Sequence, residues 1–89
     1  MIARRIQIFG KVQGVFFRAS AKTEADNRKL SGWVKNEANG TVIIEVQGLD
    51  PNVQSFLKWC REGPQFSNVS SVSVEEIEEI QTDGFEVRH

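Results

Sequence analysis

The sequence predicts an α+β sandwich, an antiparallel sheet with two helices on one face and a short extra strand at the C-terminus. Three observations lead there. Ile6 and Ile8 alternate with Gln7 and Phe9 at the two-residue period of a strand. Val53, Phe56, Leu57 and Cys60 fall at i, i+3, i+4 and i+7, one face of a helix. Between these, Asn39-Gly40 separates two β-prone segments and is the strongest hairpin signal in the chain.

Taken in order, the first strand centres on Ile6–Phe9 and ends at Gly10. Gly10-Lys11-Val12-Gln13-Gly14-Val15 has two glycines and no helical stripe, so it is expected to be a loop. From Phe17 or Arg18 to Leu30 the composition favours a helix, with a thin apolar face of Phe17, Ala21 and Ala25. Gly32 is expected to stop it, and Gly32–Asn36 reads as a short strand. In the Asn39-Gly40 hairpin both residues accept positive φ. Thr41–Gln47, rich in β-branched residues, should be the partner strand, closed by Gly48. Asp50 is placed to cap the second helix, Pro51 suits its first position, and Gly63-Pro64 ends it.

The last third supports two readings. Val72 and Val74 alternate with serines as in a strand, whereas Val74, Ile77 and Ile80 recur every three residues as in a narrow helical stripe. The serine–valine start favours a strand, with a bulge expected near Glu75-Glu76, and Phe85 with Val87 form the final short strand. The resulting order, βαββαβ plus one strand, is the split βαβ pattern of ferredoxin-like sandwiches.

Eighty-nine residues make one domain, residues 1–89, with no room for a second core. The chain is 39% hydrophobic and 26% charged, enough apolar material for a core and too little charge for disorder. A net charge of −1 counts against duplex nucleic-acid binding. No apolar run approaches the roughly 18 residues that span a bilayer, and no signal peptide stands behind Met1–Arg5, so a cytoplasmic domain without membrane contact is expected. One cysteine and one histidine, Cys60 and His89, provide neither a disulfide nor a Cys/His metal centre. The charge is uneven: residues 1–40 carry +5 and residues 41–89 carry −6, a contrast that interleaving can cancel.

The first candidate site is Gly10 through Arg18. Glycines allow successive amides to point into one concavity, a nest for an anion. The following helix adds its unpaired N–H groups and dipole, and Arg18 can present a planar fork to two oxygens. The alternative is an ordinary strand–helix loop with a solvated arginine. Lys11 could add to the field or simply be solvated. The stretch has neither the Gly-Lys-Ser/Thr of a Walker loop nor a Gly-x-Gly-x-x-Gly pattern. The second candidate is Asn36, whose carboxamide can hold a water and a substrate oxygen together. Its plainer reading is a turn-side asparagine bonding local backbone. Cys60 reads as a small buried hydrophobe, Trp33 as a core or rim aromatic, Trp59 as off the main stripe, and Glu75, Glu76, Glu78 and Glu79 as a solvated strand face. His89, the last residue, reads as mobile and a poor general base.

Gly10-Lys11-Val12-Gln13-Gly14-Val15-Phe16-Phe17-Arg18 closely resembles the signature loop of the acylphosphatase family. Gly32-Trp33-Val34-Lys35-Asn36 followed by Asn39-Gly40-Thr41-Val42 is similar to that family's second signature, and the likeness extends over essentially the whole chain. The resemblance implies a small ferredoxin-like enzyme that hydrolyses the carboxyl–phosphate bond of acyl phosphates without metal or cofactor. It implies that the backbone amides of Gln13, Gly14, Val15, Phe16, Phe17 and Arg18 cradle the phosphate. The family's catalytic arginine falls on Arg18 and its water-orienting asparagine on Asn36. The implied ligands are a small-molecule acyl phosphate and, as product or inhibitor, inorganic phosphate or a similar anion; nothing demands more than a monomer. Two departures stand out. Arg28 and Lys29 occupy positions where family members often have leucine and glycine, thinning the first helix's face and changing its cap. His89 replaces an aromatic residue often found near the C-terminus.

The implied chemistry suits the residues present. A carboxylate leaving group is stable at neutral pH, so no general acid is required. Phosphoryl transfer depends mainly on positioning and charge stabilisation. The loop offers no serine, threonine, cysteine, histidine or aspartate as a covalent nucleophile. The competing reading is a non-catalytic phosphate- or anion-binding interaction module on the same fold, against which Asn36 argues because a pure binder needs no water-positioning amide. A single-stranded RNA binder is disfavoured by the absence of aromatic residues from Val42–Gln47 and by the net charge.

Overall fold

The computed structural model describes all residues from Met1 to His89. Its elements are β1 (Ile2–Lys11), α1 (Phe17–Asn27), β2 (Ser31–Asn36), β3 (Val42–Gly48), α2 (Asp50–Glu62), β4 (Asn68–Glu76) and β5 (Phe85–Arg88). The five strands form one sheet in the order β4-β1-β3-β2-β5. This is the expected ferredoxin-like sandwich with its extra C-terminal strand, but the sheet is mixed. β5 lies parallel to β2, with Phe85 opposite Gly32 and Arg88 opposite Lys35. The other pairings are antiparallel.

Alternation sorts the strands into two faces. Ile6 and Ile8 of β1, Val34 of β2 and Val42, Ile44 and Val46 of β3 are buried in one cluster with Phe17, Ala21 and Ala25 of α1 and Val53, Phe56, Leu57 and Cys60 of α2. Cys60 is the buried apolar filler its place on the stripe predicts, and burial pushes its thiol pKa up, away from thiolate chemistry. Trp59 does join the core margin: its ring centroid lies 5.3 Å from that of Phe17 and 5.8 Å from that of Phe56. Trp33, on the opposite face from Val34, has the Arg88 guanidinium 4.6 Å over its ring.

Several local expectations are corrected. β1 begins at Ile2 and includes Gly10 and Lys11. The first helix ends at Asn27, well before Gly32, which lies inside β2. Lys29 supplies the positive φ, 56°, that reverses the chain after it. Five residues, 37–41, link Asn36 to β3, and among them Gly40, at φ 90°, has the positive φ and Asn39 does not. Asn39 instead uses Oδ1 to accept from the Thr41 amide at 3.1 Å and from its hydroxyl at 2.7 Å. Thr41 precedes β3 rather than opening it. In α2 the cap position falls on Leu49, so Asp50 and Pro51 are the first two helical residues and no side chain caps. The bulge sits at Ser70, unmatched between Phe9↔Ser71 and Gly10↔Val69, whereas Glu75 and Glu76 pair regularly with Arg5 and Arg4.

β4 ends at Glu76, so Glu78 and Glu79 lie beyond the strand. Residues 77–84 carry the chain from β4, at one sheet edge, to β5 at the other. They are fastened on the way: Gln47 Nε2 donates to the Ile80 carbonyl at 2.8 Å, and the Ile80 amide donates to Gln47 Oε1 at 2.9 Å. The uneven charge interleaves in part, as Arg4 meets Glu76 at 3.6 Å and Arg5 meets Glu45 at 3.7 Å.

Candidate functional site

The topology brings three strand ends to one side of the sandwich. β1 runs antiparallel to β3 and β3 to β2, while β5 runs parallel to β2. The C-terminal ends of β1, β2 and β5 therefore emerge together, beside the N-terminus of α1. A cleft of about 340 Å³ opens there, lined by Val12, Gly14, Phe16, Phe17, Arg18, Ala19, Asn36, Val87 and His89.

The loop between β1 and α1 is shaped by backbone conformations at two positions. Gly14 has φ 72° and Phe16 has φ 64° with ψ 22°, both left-handed. For a bulky residue that conformation costs on the order of 1–3 kcal/mol. Left-handed residues set among ordinary ones turn successive amides toward one side, the geometry of an anion nest. The N–H groups of Gln13 through Arg18 donate no hydrogen bond within the chain; the first helical bond runs from Ser20 to the Phe16 carbonyl at 3.0 Å. With no side-chain cap and no acid in its first turn, α1 leaves its positive end uncompensated.

Arg18, one residue inside α1, holds its guanidinium against β5. Nη1 donates to the Arg88 carbonyl at 3.0 Å and lies 3.0 Å from His89 Nδ1, which acts as the acceptor because a guanidinium carries donors alone. Arg4, Arg5, Arg28 and Arg88 each have a carboxylate within 4.0 Å; Arg18 has none. Its charge is available to an anion in the cleft.

Asn36 ends β2 on the same sheet face as Val34, hence on the α1 side. It does not bond local backbone: its Oδ1 is buried and has no hydrogen-bond partner. A buried carbonyl oxygen left unpaired costs about 1–3 kcal/mol. Asn36 lines the same cleft as Arg18 and the loop, so its unpaired carboxamide oxygen sits in the wall of that cleft.

The six amides and two side chains expected from the sequence thus lie along one loop and one strand end. Gly14, Phe16, Phe17, Arg18 and Asn36 line the cleft itself. Val15 is turned into the core, and Gln13 uses its side chain to tie the loop to the hairpin, with Nε2 2.8 Å from the Glu37 carbonyl and 2.9 Å from that of Thr41. The sequence marks Val12 only as part of the loop and does not single out Ala19, Val87 or His89 as site residues. Nothing local marks the last two, since they reach the cleft through the pairing of β5 with β2 across about fifty residues.

Fold and cleft define the class: a small ferredoxin-like α+β domain with a candidate oxyanion site where a glycine loop enters its first helix. The particular family follows from comparison. The Acylphosphatase family model matches residues 4–87. An acylphosphatase from Bacillus licheniformis is 46% identical over 86 residues, covering 97% of this chain and 93% of that protein. The crystal structure of acylphosphatase from Bacillus subtilis superposes with a TM-score of 0.95 at 40% identity, covering both chains completely. The same fold is found within full-length HypF, solved in a phosphate- and nucleotide-bound form, at TM-score 0.92 and 34% identity over 99% of this chain and 12% of that one. The chain belongs to the acylphosphatase family.

Proposed function

We propose that this chain hydrolyses acyl phosphates to a carboxylate and inorganic phosphate, without metal or cofactor, at the cleft between the β1–α1 loop and the end of β2. The phosphoryl oxygens accept hydrogen bonds from the amides of Gln13, Gly14, Val15, Phe16, Phe17 and Arg18, while the Arg18 guanidinium neutralises their charge. Fixed donors of this kind favour the transition state because they need no reorganisation as charge shifts among the oxygens.

The observation that carries catalysis, as opposed to binding alone, is the unpartnered Oδ1 of Asn36. A water held by the Asn36 carboxamide lies beside the phosphoryl group. Attack forms the new P–O bond as the bond to the acyl oxygen breaks, and that electron pair leaves on the carboxylate. The water's proton passes to a phosphoryl oxygen. Neither Arg18 nor Asn36 need gain or lose a proton, consistent with a site that has no acid–base pair.

The test is benzoyl phosphate hydrolysis in excess chelator by the wild type, Arg18→Ala and Asn36→Ala, each first shown to be folded. Turnover by the wild type, falling roughly 10²–10³-fold in each variant, is expected. A chelator-sensitive wild type would overturn the metal-free reading. Phosphate binding without turnover would instead favour the non-catalytic anion-binding module.

A further inference from the structure

We propose that the Phe16 side chain is the acyl-group contact of this site and gives it a preference for acyl phosphates with an aryl-sized apolar acyl group. The proposal takes its substrate class from the hydrolase reading above and adds the determinant of acyl selectivity.

The placement of Phe16 is the first observation. The residue is 77% exposed and Phe66 is 68% exposed, although Phe17, Phe56 and Phe85 are all buried. An isolated exposed aromatic is commonplace on a protein surface. This one is distinguished by its backbone. Phe16 has φ 64°, a conformation that glycine or asparagine adopts at much lower cost. The loop requires that conformation for its amide nest, but it does not require a phenyl ring there, and the ring gains no burial in return.

The second observation is the cleft. Its volume of about 340 Å³ exceeds what the phosphoryl group needs. The cleft is open on one side, so the group bonded to the phosphate has room to lie along its apolar wall. The polar parts, Gly14, Arg18 and Asn36, belong to the anion and the water. Phe16, Ala19 and Val87 supply apolar surface in the same cleft. One residue thus offers its amide to the phosphate and its ring to the group bonded to it, so the preference follows from the covalent structure of the substrate. An acetyl group is too small to cover the ring; a benzoyl group is large enough to stack on it.

The test compares Phe16→Asn with the wild type. Asparagine tolerates the left-handed conformation, so the nest is retained while the apolar surface is removed. Two assays are run: kcat/KM for benzoyl phosphate against acetyl phosphate, and calorimetric affinity for phenylphosphonate against methylphosphonate, which are not hydrolysed. The wild type should favour the phenyl compound by roughly tenfold in each assay, as expected for modest extra apolar contact. Phe16→Asn should bring both ratios close to one, and Phe16→Leu should restore part of the preference. Ratios that are unchanged in Phe16→Asn, or a wild type without a preference, overturn the assignment. A phosphonate preference that depends on Phe16 in a chain that hydrolyses neither acyl phosphate would sink the catalytic reading while leaving the ring's contact intact.

Discussion

Gln13 Nε2 donates to the carbonyl oxygen of Thr41 at 2.9 Å, joining residues 28 apart in the chain. The same nitrogen donates to the Glu37 carbonyl at 2.8 Å. These two bonds fix the β1–α1 loop to the hairpin that follows Asn36, so they set the distance between the amide nest and the carboxamide. Gln13→Ala leaves the backbone amide but removes both ties. At about 0.5–1.5 kcal/mol per net hydrogen bond, it should destabilise the fold by roughly 1–3 kcal/mol and lower kcat. Denaturant unfolding and turnover of benzoyl phosphate check the two effects; an unaltered kcat would show that the loop holds its register without the side chain.

Arg18 is anchored through Nη1, which leaves the remainder of the fork for an anion. Arg18→Lys retains a charge but loses the planar geometry, and it should recover little of the activity lost in Arg18→Ala. The outcome to look for is a kcat/KM within about tenfold of Arg18→Ala and at least roughly 10²-fold below wild type. His89→Ala keeps the Arg88 carbonyl as an anchor and should reduce turnover far less than either.

The unpaired Oδ1 of Asn36 predicts opposite effects on activity and stability. Asn36→Ala should lower kcat by roughly 10²–10³ with a much smaller change in inhibition by inorganic phosphate. The same change removes a buried unsatisfied acceptor, so the melting temperature should hold or rise. A large loss of phosphate affinity with kcat preserved would contradict the water-orienting role.

Lys29 has a φ of 56°, a left-handed conformation that glycine adopts at lower cost. Lys29→Gly relieves a backbone cost of about 1–2 kcal/mol, partly offset by the greater freedom of glycine in the unfolded chain. A net gain of roughly 0.5–1 kcal/mol in denaturant unfolding, with activity retained, is expected. Its neighbour Arg28 should not be altered with it. Arg28 bonds Glu24 at 2.7 Å and the Ser55 hydroxyl at 2.9 Å, linking α1 to α2. Arg28 therefore supplies a polar contact between the helices beside the thin apolar face of α1.

Gly32 tests the sheet rather than the site. It has φ 143°, and an added Cβ would overlap the Glu45 carbonyl oxygen on β3. Gly32→Ala should destabilise by several kcal/mol, at the upper end of single substitutions, because neither backbone can give way without breaking the β2–β3 ladder. Thermal melting of the variant checks this.

The elements that were legible in the sequence are those whose signals are local. The stripe Val53-Phe56-Leu57-Cys60 is one helix face whatever packs on it, and α2 buries those four residues. The alternation around Ile6 and Ile8 likewise survives in β1. The errors are boundary and turn details for which neighbouring chain segments compete. Asn39 has a side-chain alternative to positive φ, and the bulge goes to Ser70 because the pairing of β4 with β1 decides which residue is left over.

The sequence by itself determined the order of elements, the two glycines that loosen the β1–α1 loop, and the candidacy of Arg18 and Asn36, since these rest on residue type and spacing alone. The tertiary structure decided what those residues face. Parallel pairing of β5 with β2 brings Arg88 and His89 to the Arg18 guanidinium. Seating of the loop on the hairpin places Gln13 against Thr41, and burial of the β2 end leaves Asn36 Oδ1 without a partner. Strand pairing is non-local: its free energy depends on contacts between residues tens of positions apart, and no short window of sequence contains both partners.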